Sequence, residues 1–354
     1  MSARELLRLQ DVPVYQNKMF DTVAAARACP RGDVILMQDD ATGLVSNIAF
    51  DPRKLDYDKS YQNEQGHSSM FQEHLSEVLA TLERHFRSAR ILEIGCGKGA
   101  FLDQLRNDGH DAWGVDPAYE GDSPYITKAR FEPELGIRGD AIVMRHVLEH
   151  IPQPLAFLDT IRRANGDQGT VYIEVPCLDW ILRKRTWFDV FYEHVNYFRL
   201  TDFNRMFATV RESGHLFGGQ YLYAVAELSS LRDPATFGPH APVSIPGDFF
   251  ANIDHCLDQG AHAPQHIVWG GAAKGVMFSH HAINRGLSLD FAIDINPAKQ
   301  GKFLAASGLP VLAPDYGVSQ IADNAVIFVM NSNYLEEIRT LAGPDFNYIP
   351  VDRS

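Results

Sequence analysis

The stretch RILEIGCGKGAFLDQL, residues 90 to 105, decides the fold of this chain. It begins with a short apolar run, continues through a glycine-rich turn, and ends with apolar side chains at helical spacing, which predicts strand, turn and helix. Glycines after such a strand let the backbone approach a ligand closely, and the helix presents unpaired N–H groups at its N-terminus. The stretch therefore predicts a ligand site at the turn.

An acidic residue follows at the spacing that a nucleoside site requires. Asp116, in the segment GVDP, ends the next predicted strand roughly twenty residues after the turn, where a carboxylate can accept hydrogen bonds from both hydroxyls of a ribose. A dinucleotide site would show the spacing GxGxxG, whereas Gly95, Gly97 and Gly99 follow GxGxG. Taken singly, the glycines also fit a tight structural turn and Asp116 a strand-end cap. Their joint spacing favours a cofactor site other than one for NAD.

Predicted strands and helices alternate through most of the chain, which is typical of a parallel, doubly wound sheet. Prolines cluster after residue 232, as in a linker. Beyond them, HIVWGGAAKG at 266 to 275 repeats the strand and glycine turn. We therefore predict an α/β protein with four segments: a small irregular or β-rich N-terminal lobe over residues 1–60, a Rossmann-like cofactor domain with a parallel-rich sheet over 61–232, a proline-rich linker over 233–250, and a second Rossmann-like α/β domain over 251–354.

Composition limits the partners of the protein. The 354 residues carry a formal net charge of -13, which argues against a nucleic acid or an anionic membrane surface, because phosphates are bound by clustered Lys and Arg. A small-molecule substrate is favoured. No apolar run resembles a signal peptide or a membrane span, so we expect a soluble cytoplasmic protein. The four cysteines lack CxxC spacing, so no zinc knuckle or disulfide framework is indicated. The oligomeric state is not predicted.

The motifs together resemble a known enzyme family. ExGxGxG from Glu93, then GVDP, then DAIVMRHVLEH at 140 to 150 are similar to the class I S-adenosylmethionine-dependent methyltransferases, and the likeness covers about residues 68 to 228. The resemblance implies S-adenosyl-L-methionine as cofactor. It also implies that Gly95, Gly97 and Gly99 line the methionine half of the cofactor, that Glu93 supports the turn, and that Asp116 holds the ribose.

One segment also fits a metal site. His146, Glu149 and His150 match the HxxEH pattern of a class of zinc peptidases, in which two histidines on a helix bind zinc and the glutamate is the base. The segment, however, follows a predicted parallel strand, and VLEHI in that place is common in the methyltransferases. We therefore expect no metal.

Two further regions narrow the resemblance. GAAKG at 271 to 275, KQGKF at 299 to 303 and FDVFYEHVNYF at 188 to 198 resemble the C-methyltransferases of deoxysugar and natural-product biosynthesis. Those enzymes have a zinc-binding N-terminal lobe, a cofactor domain and a C-terminal α/β domain. Here the N-terminal lobe lacks the paired cysteines, since Cys29 stands alone, so we expect a degenerate lobe without zinc.

The resemblance implies catalytic and substrate residues. The methylated carbon lies next to a ketone, and a base must remove its proton before the enolate attacks the sulfonium methyl group. We predict His194 as the base and Glu193 as the residue that orients it. The family pattern has a tyrosine two residues before the glutamate-histidine pair, whereas in this chain Tyr192 directly precedes that pair. The role of the family tyrosine therefore falls to Tyr192 or to Tyr197, or no residue of this chain has it. The remaining predictions are His150 as an active-site histidine, and Tyr61 and Lys274 as substrate contacts.

Alternatives stay open at this point. Glu193 and His194 also fit a surface pair on an aromatic-rich helix. Asp294 ends its predicted strand as a ribose-binding acid would, which leaves a second dinucleotide site as an alternative although the turn lacks GxGxxG. The C-terminal unit could serve only to stabilise the protein. Transfer to oxygen or nitrogen in a natural-product pathway competes with transfer to carbon of a nucleotide-linked keto sugar. A further alternative is that the protein is not an enzyme but a scaffold that binds the cofactor without turnover.

Overall fold

A computed structural model describes residues 3–55 and 68–352 of the chain. These residues form sheets of four, seven and five strands. The two larger sheets are parallel-rich and interleaved with helices, which confirms the predicted α/β fold with two Rossmann-like units. No helix within the described residues has the length and the apolar character that a membrane span requires.

The elements are numbered in chain order. The strands are β1 (Ala3–Pro13), β2 (Arg31–Asp39), β3 (Val45–Asn47), β4 (Arg90–Ile94), β5 (Asp111–Val115), β6 (Ile126–Thr127), β7 (Ala141–Arg145), β8 (Thr170–Pro176), β9 (Asn196–Tyr197), β10 (Val210–Leu216), β11 (Tyr221–Glu227), β12 (His266–Trp269), β13 (Phe291–Ile293), β14 (Val311–Leu312), β15 (Val326–Val329) and β16 (Asn347–Pro350). The α-helices are α1 (Val23–Arg27), α2 (Ser69–Phe86), α3 (Ala100–Asn107), α4 (Pro154–Ala164), α5 (Leu178–Lys184), α6 (Leu200–Met206), α7 (Ala251–Gly260), α8 (Ala273–Asn284), α9 (Pro314–Ser319) and α10 (Leu335–Ala342).

The seven-stranded sheet places the predicted cofactor turn. Its order is β10-β11-β8-β7-β4-β5-β6, parallel from β8 to β6, with β11 antiparallel to β8 and β10 antiparallel to β11. The chain passes from β4 to β5 on one side and later to β7 on the other. The carboxyl end of β4 is therefore a switch point of the strand order, where ligands bind in open α/β sheets.

The five-stranded sheet repeats this arrangement. Its order is β14-β13-β12-β15-β16, and all pairs are parallel. The strand order reverses at β12, so the second glycine turn also lies at a switch point.

The N-terminal lobe contains an antiparallel sheet in the order β1-β2-β3-β9, and the register of β1 on β2 shifts at two places. Along β2, buried and half-exposed residues alternate, as expected of a strand with one face on a core. The edge strand of this sheet, β9, comes from the aromatic stretch, since Tyr197 pairs with Val45. The chain just after His194 is thereby fixed to the lobe.

The aromatic stretch itself is not a helix. It forms a 3-10 turn (Trp187–Asp189) followed by a turn and extended chain, and every residue from 186 to 198 is buried. Glu193 is 0% exposed and His194 is 9% exposed. The alternative of a surface pair on an aromatic-rich helix is therefore wrong.

The proline-rich segment lies against the N-terminal lobe. The backbone N–H of Val243 donates to the side-chain oxygen of Gln38 at 2.9 Å, and the Gln38 amide donates to the Ala241 carbonyl at 3.2 Å. The segment therefore has fixed contacts with the lobe, while the boundaries of the four segments stay a prediction.

Candidate active site

The two glycine turns face a common cavity of about 510 Å³. Its walls include the turn after β4 and the turn after β12, together with side chains that follow β7 and the aromatic stretch. The predicted site residues that line this cavity are Glu93, Gly95, Gly97, His150, His194 and Lys274. Gly99, Asp116, Tyr192 and Glu193 are not among its lining residues, and Tyr61 lies outside the described residues.

The first glycine turn requires glycine for two reasons. Gly95, Gly97 and Gly99 have φ angles of 78°, 57° and 88°, in the left-handed region that other residues rarely adopt. A Cβ at Gly95 would also approach Val147 Cγ2 to 2.3 Å, whereas one at Gly97 would meet no atom of the described residues within 4 Å. Crowding thus restricts Gly95, while the backbone angle restricts Gly97, and the backbone there stays open to a ligand.

The carboxylate of Asp116 stabilises this turn through hydrogen bonds with the backbone. It accepts the Gly97 N–H at 2.8 Å and the Ala118 N–H at 2.7 Å. Burial raises the pKa of Asp116, and these two N–H donors oppose that shift. Asp116 thus fixes the turn at the strand end where a ribose-binding acid is expected.

Glu93, at the end of β4, is 3% exposed, and its Oε2 has no hydrogen-bond partner among the described residues. Burial raises the pKa of Glu93 to about 7, with a further increase from Asp116 and an opposing effect of Arg145. A carboxyl group of this kind would favour a cationic ligand at the turn, because the positive charge of the ligand would stabilise the ionised form of Glu93.

Replacing Glu93 with Gln should remove a pH dependence of stability. The folded-state pKa of about 7 lies above the ordinary value of 4.5, so the folded protein binds an extra proton between these values and loses stability as the pH rises through this window. At about 1.4 kcal/mol per pKa unit, the loss reaches about 3 kcal/mol above pH 7. Urea unfolding of both proteins at pH 5 and pH 8 measures it. Relative to the native protein, Glu93→Gln should gain stability at pH 8, and an equal difference at both pH values would contradict the assignment.

A buried ionic network lies beside the turn, and the sequence did not predict it. Glu174 Oε1 lies 2.9 Å from His74 Nε2 and 3.1 Å from His146 Nε2, and its Oε2 accepts from Tyr172 at 2.8 Å and from Arg145 at 3.4 Å. Burial alone would raise the pKa of Glu174, but Arg145 and the two histidines outweigh it and hold the pKa well below its usual range. Glu174 thus stays ionised in the interior of the protein, although it is fully buried.

The same network keeps His146 protonated. Burial would lower the pKa of His146, but Glu149 and Glu174 raise it to about 9. Its ring also contacts Tyr221, with centroids 4.5 Å apart. His146 is therefore a cation in the cavity wall at neutral pH rather than a base.

His194 has the opposite character. Its ring centroid lies 4.0 Å from that of Phe191 and 5.0 Å from that of His150. Burial, and then the nearby His150 and His146, hold the pKa of His194 well below its usual range. Its Nδ1 is buried without a hydrogen-bond partner among the described residues. A neutral imidazole with a lone pair available in the cavity wall can accept a proton.

Glu193 is held by the N-terminal lobe. Its Oε1 accepts the Gln16 backbone N–H at 2.7 Å, and its own N–H donates to the Gln16 side chain at 3.2 Å. Its backbone carbonyl lies 2.9 Å from His150 Nδ1. These contacts position the loop and His150, and the predicted orientation of His194 by the Glu193 carboxylate stays a prediction.

Tyr192 and Tyr197 are placed away from the cavity. The Tyr192 hydroxyl accepts the Asp51 N–H at 2.8 Å, and its ring packs on Gly32 and lies 5.5 Å from the ring of Phe50. The Tyr197 hydroxyl bonds to the backbone of Phe191. Phe191 lines the cavity at the position two residues before the glutamate-histidine pair. The geometry thus gives Tyr192 a packing role, whereas Tyr221 and Tyr334, which the sequence did not indicate, line the cavity.

The lysines of the C-terminal unit are paired. Lys274 Nζ lies 3.2 Å from Asp189 Oδ2, and Lys299 Nζ lies 3.3 Å from Asp294 Oδ2. Asp294 also accepts the Gly271 N–H at 2.9 Å. Asp294 thus holds the second turn as Asp116 holds the first. Unlike Asp116, Asp294 also forms an ion pair with a lysine, Lys299, so both its charge and its oxygens already have partners within the protein.

The HxxEH segment does not have the geometry of the zinc peptidases. His146 directly follows β7 and has a φ of 53°, and Leu148–His150 forms a 3-10 turn. The two histidines are therefore not on one face of an α-helix, and His146 contacts Glu174 instead.

Comparisons with known proteins agree with this geometry. Residues 66–210 match the family model of a methyltransferase domain, and residues 250–342 match that of a C-methyltransferase C-terminal domain. The chain is similar to the C-methyltransferase NovU of Streptomyces niveus, with 24% identity over 288 residues that cover 70% of this chain and 67% of that protein.

Solved structures show weaker likenesses. The PH0226 protein of Pyrococcus horikoshii is 15% identical, with a TM-score of 0.36 over 45% of this chain and 92% of that one. A Burkholderia thailandensis 1,6-didemethyltoxoflavin-N1-methyltransferase with bound S-adenosylhomocysteine is 15% identical, with a TM-score of 0.32 over 45% and 78%. The two domain matches and the C-methyltransferase relative confirm the predicted class of enzyme and its cofactor, S-adenosyl-L-methionine.

Proposed function

We propose that this S-adenosylmethionine-dependent methyltransferase methylates a carbon atom next to a carbonyl group of a small acceptor, with His194 as the base. The observation that carries the proposal is the neutral, buried imidazole of His194 in the same cavity as Gly95 and Gly97. The likeness to a C-methyltransferase C-terminal domain and to NovU supports carbon as the acceptor. A nucleotide-linked keto sugar is the first acceptor to test.

The chain's own residues have separate tasks in this mechanism. Gly95, Gly97, Glu93 and Asp116 would hold the cofactor, which supplies an electrophilic methyl group when bound. The open backbone at Gly97 and the Glu93 oxygen, which has no hydrogen-bond partner among the described residues, fit that role. Holding donor and acceptor in one cavity lowers the entropic part of the barrier.

Two histidines have separate roles in the reaction, one as the base and the other as a positive charge near the enolate. His194 takes the proton from the carbon next to the carbonyl group, which requires a neutral imidazole. His146, an imidazolium in the same wall, stabilises the negative charge that develops on the enolate oxygen. The positive charge of His146 also lowers the pKa of His194 and so keeps the base unprotonated.

Product analysis tests the proposal. The protein is incubated with S-adenosylmethionine carrying a ¹³C-labelled methyl group and with a panel of keto compounds that includes nucleotide-linked keto sugars. We expect a product whose labelled methyl group is bonded to carbon in its NMR spectrum. A methoxy or N-methyl signal would contradict it in favour of transfer to oxygen or nitrogen, and cofactor binding without any product would favour a scaffold.

A further inference from the structure

Three side chains at the cavity wall meet in a way that the sequence did not predict. Glu149 and His150, in the 3-10 turn after β7, and His194, from the aromatic stretch, each offer one ligand atom, and these atoms lie within 4.8 Å of one another. Glu149 is 1% exposed and His194 is 9% exposed. A carboxylate and two imidazoles are thus gathered at one buried point.

Two of the three carry polar atoms that the surrounding protein leaves unsatisfied. Neither carboxylate oxygen of Glu149, nor Nδ1 of His194, has a hydrogen-bond partner among the described residues. The nitrogen of His146 that lies nearest Glu149 is 3.4 Å away, which is an ion-pair distance. A buried polar atom without a partner costs about 1–3 kcal/mol, so a bound cation would stabilise this cluster.

The third side chain is oriented as metal-binding histidines usually are. His150 Nδ1 lies 2.9 Å from the Glu193 carbonyl oxygen. When a ring N–H donates to a backbone carbonyl, it fixes the tautomer and leaves the other nitrogen as the one that coordinates. In His150 that nitrogen is Nε2.

We propose that Glu149, His150 and His194 form a binding site for a divalent transition-metal ion, with Zn²⁺ the best fit, and that the bound ion inhibits methyl transfer. Two imidazoles and a carboxylate are ligands that Zn²⁺ accepts, whereas Mg²⁺ and Ca²⁺ prefer oxygen alone. Ligand atoms at about 2.1 Å from one Zn²⁺ are roughly 3.4 Å apart, so small side-chain rotations would complete the site. The inhibition rests on the proposed function, because the ion would take the lone pair with which His194 accepts the proton.

The binding test uses Co²⁺ as a spectroscopic substitute and Zn²⁺ in calorimetry. The full chain, without a histidine tag and freed of metal with a chelator, is titrated with each ion. We expect one equivalent to bind, with visible cobalt bands and no sulfur charge-transfer band, because the proposed ligand cluster contains no cysteine. Glu149→Gln and His194→Asn should each weaken binding at least tenfold, while His215→Asn, which removes an exposed histidine on β10, should not. Circular dichroism confirms that each variant folds.

The inhibition test uses turnover of the native protein. Zn²⁺ should inhibit with the same midpoint as its binding, and Glu149→Gln should raise that midpoint at least tenfold. Absence of stoichiometric binding to the native protein, or binding that neither variant weakens, would overturn the site. Binding at this site without inhibition would uphold the site but contradict His194 as the base, so the two proposals fail separately.

Discussion

His194→Asn should lower the turnover of the protein by roughly 10³-fold and leave its affinity for S-adenosylhomocysteine unchanged. Asparagine has a similar size and polarity but cannot accept the proton, and general base catalysis is worth about 10²- to 10⁴-fold. The glycine turn that would hold the cofactor belongs to a different segment, after β4, so the binding of S-adenosylhomocysteine should not depend on the base. Turnover is measured with labelled S-adenosylmethionine, and cofactor affinity by calorimetry.

Two control variants separate this effect from damage to the fold. His215→Asn removes an exposed histidine and should leave turnover unchanged. Tyr192→Phe removes the hydroxyl that accepts the Asp51 N–H and should cost about 1 kcal/mol of stability with turnover within about threefold of native. Full activity of His194→Asn would remove the base assignment. A loss with Tyr192→Phe as large as that with His194→Asn would restore Tyr192 as a catalytic candidate.

Asp116→Ala should weaken the binding of S-adenosylhomocysteine by about 100-fold. The variant loses the bond that holds the Gly97 N–H at 2.8 Å and, if the proposed cofactor site is correct, an acceptor for the ribose hydroxyls. Hydrogen bonds to a charged group contribute about 1.5–3 kcal/mol, and about 1.4 kcal/mol corresponds to a factor of ten in affinity. Calorimetric titration of native and variant protein measures the change.

The C-terminal unit provides a matched control. Asp294 accepts the Gly271 N–H at 2.9 Å and the Asn296 N–H at 2.8 Å, just as Asp116 accepts those of Gly97 and Ala118. Asp294→Ala should therefore leave the affinity for S-adenosylhomocysteine unchanged if only the first turn holds the cofactor. Equal losses in the two variants would contradict the assignment of the cofactor to the first turn.

The sequence predicted the parts of the fold that depend on local pattern. The turn at Gly95 to Gly99 follows a short apolar strand and begins a helix, and these constraints act within a few residues. The second glycine turn at Gly270 and Gly271 was predicted for the same reason. The pairing of the N-terminal lobe with β9 was not predicted, because this edge strand comes from residues 196 and 197, far along the chain.

The candidate site was predicted less completely, because it depends on contacts between distant segments. Glu174 is paired with His74, which lies 100 residues earlier, and with His146. Their spacing in the sequence carries no signal of a shared network. Tyr192 was a catalytic candidate from its position beside Glu193, but packing against the N-terminal lobe turns its hydroxyl toward Asp51.

The HxxEH segment shows the same limit. The sequence placed His146, Glu149 and His150 in one pattern, and the expectation of no metal rested on the place of that segment after a strand. In the fold, His146 lies 3.4 Å from Glu149 and 3.1 Å from Glu174, while His194 joins Glu149 and His150 in one cluster. The cluster could not be predicted from the sequence, because it depends on the three-dimensional position of the aromatic stretch that contains His194.

The most direct test of carbon methylation by His194 is hydrogen exchange in D₂O. The protein is held with S-adenosylhomocysteine and the acceptor identified by product analysis, so that no methyl group can be transferred. We predict that the native protein exchanges the hydrogen on the carbon next to the carbonyl group for deuterium, and that His194→Asn does not. Exchange at the same rate in both proteins would contradict the account.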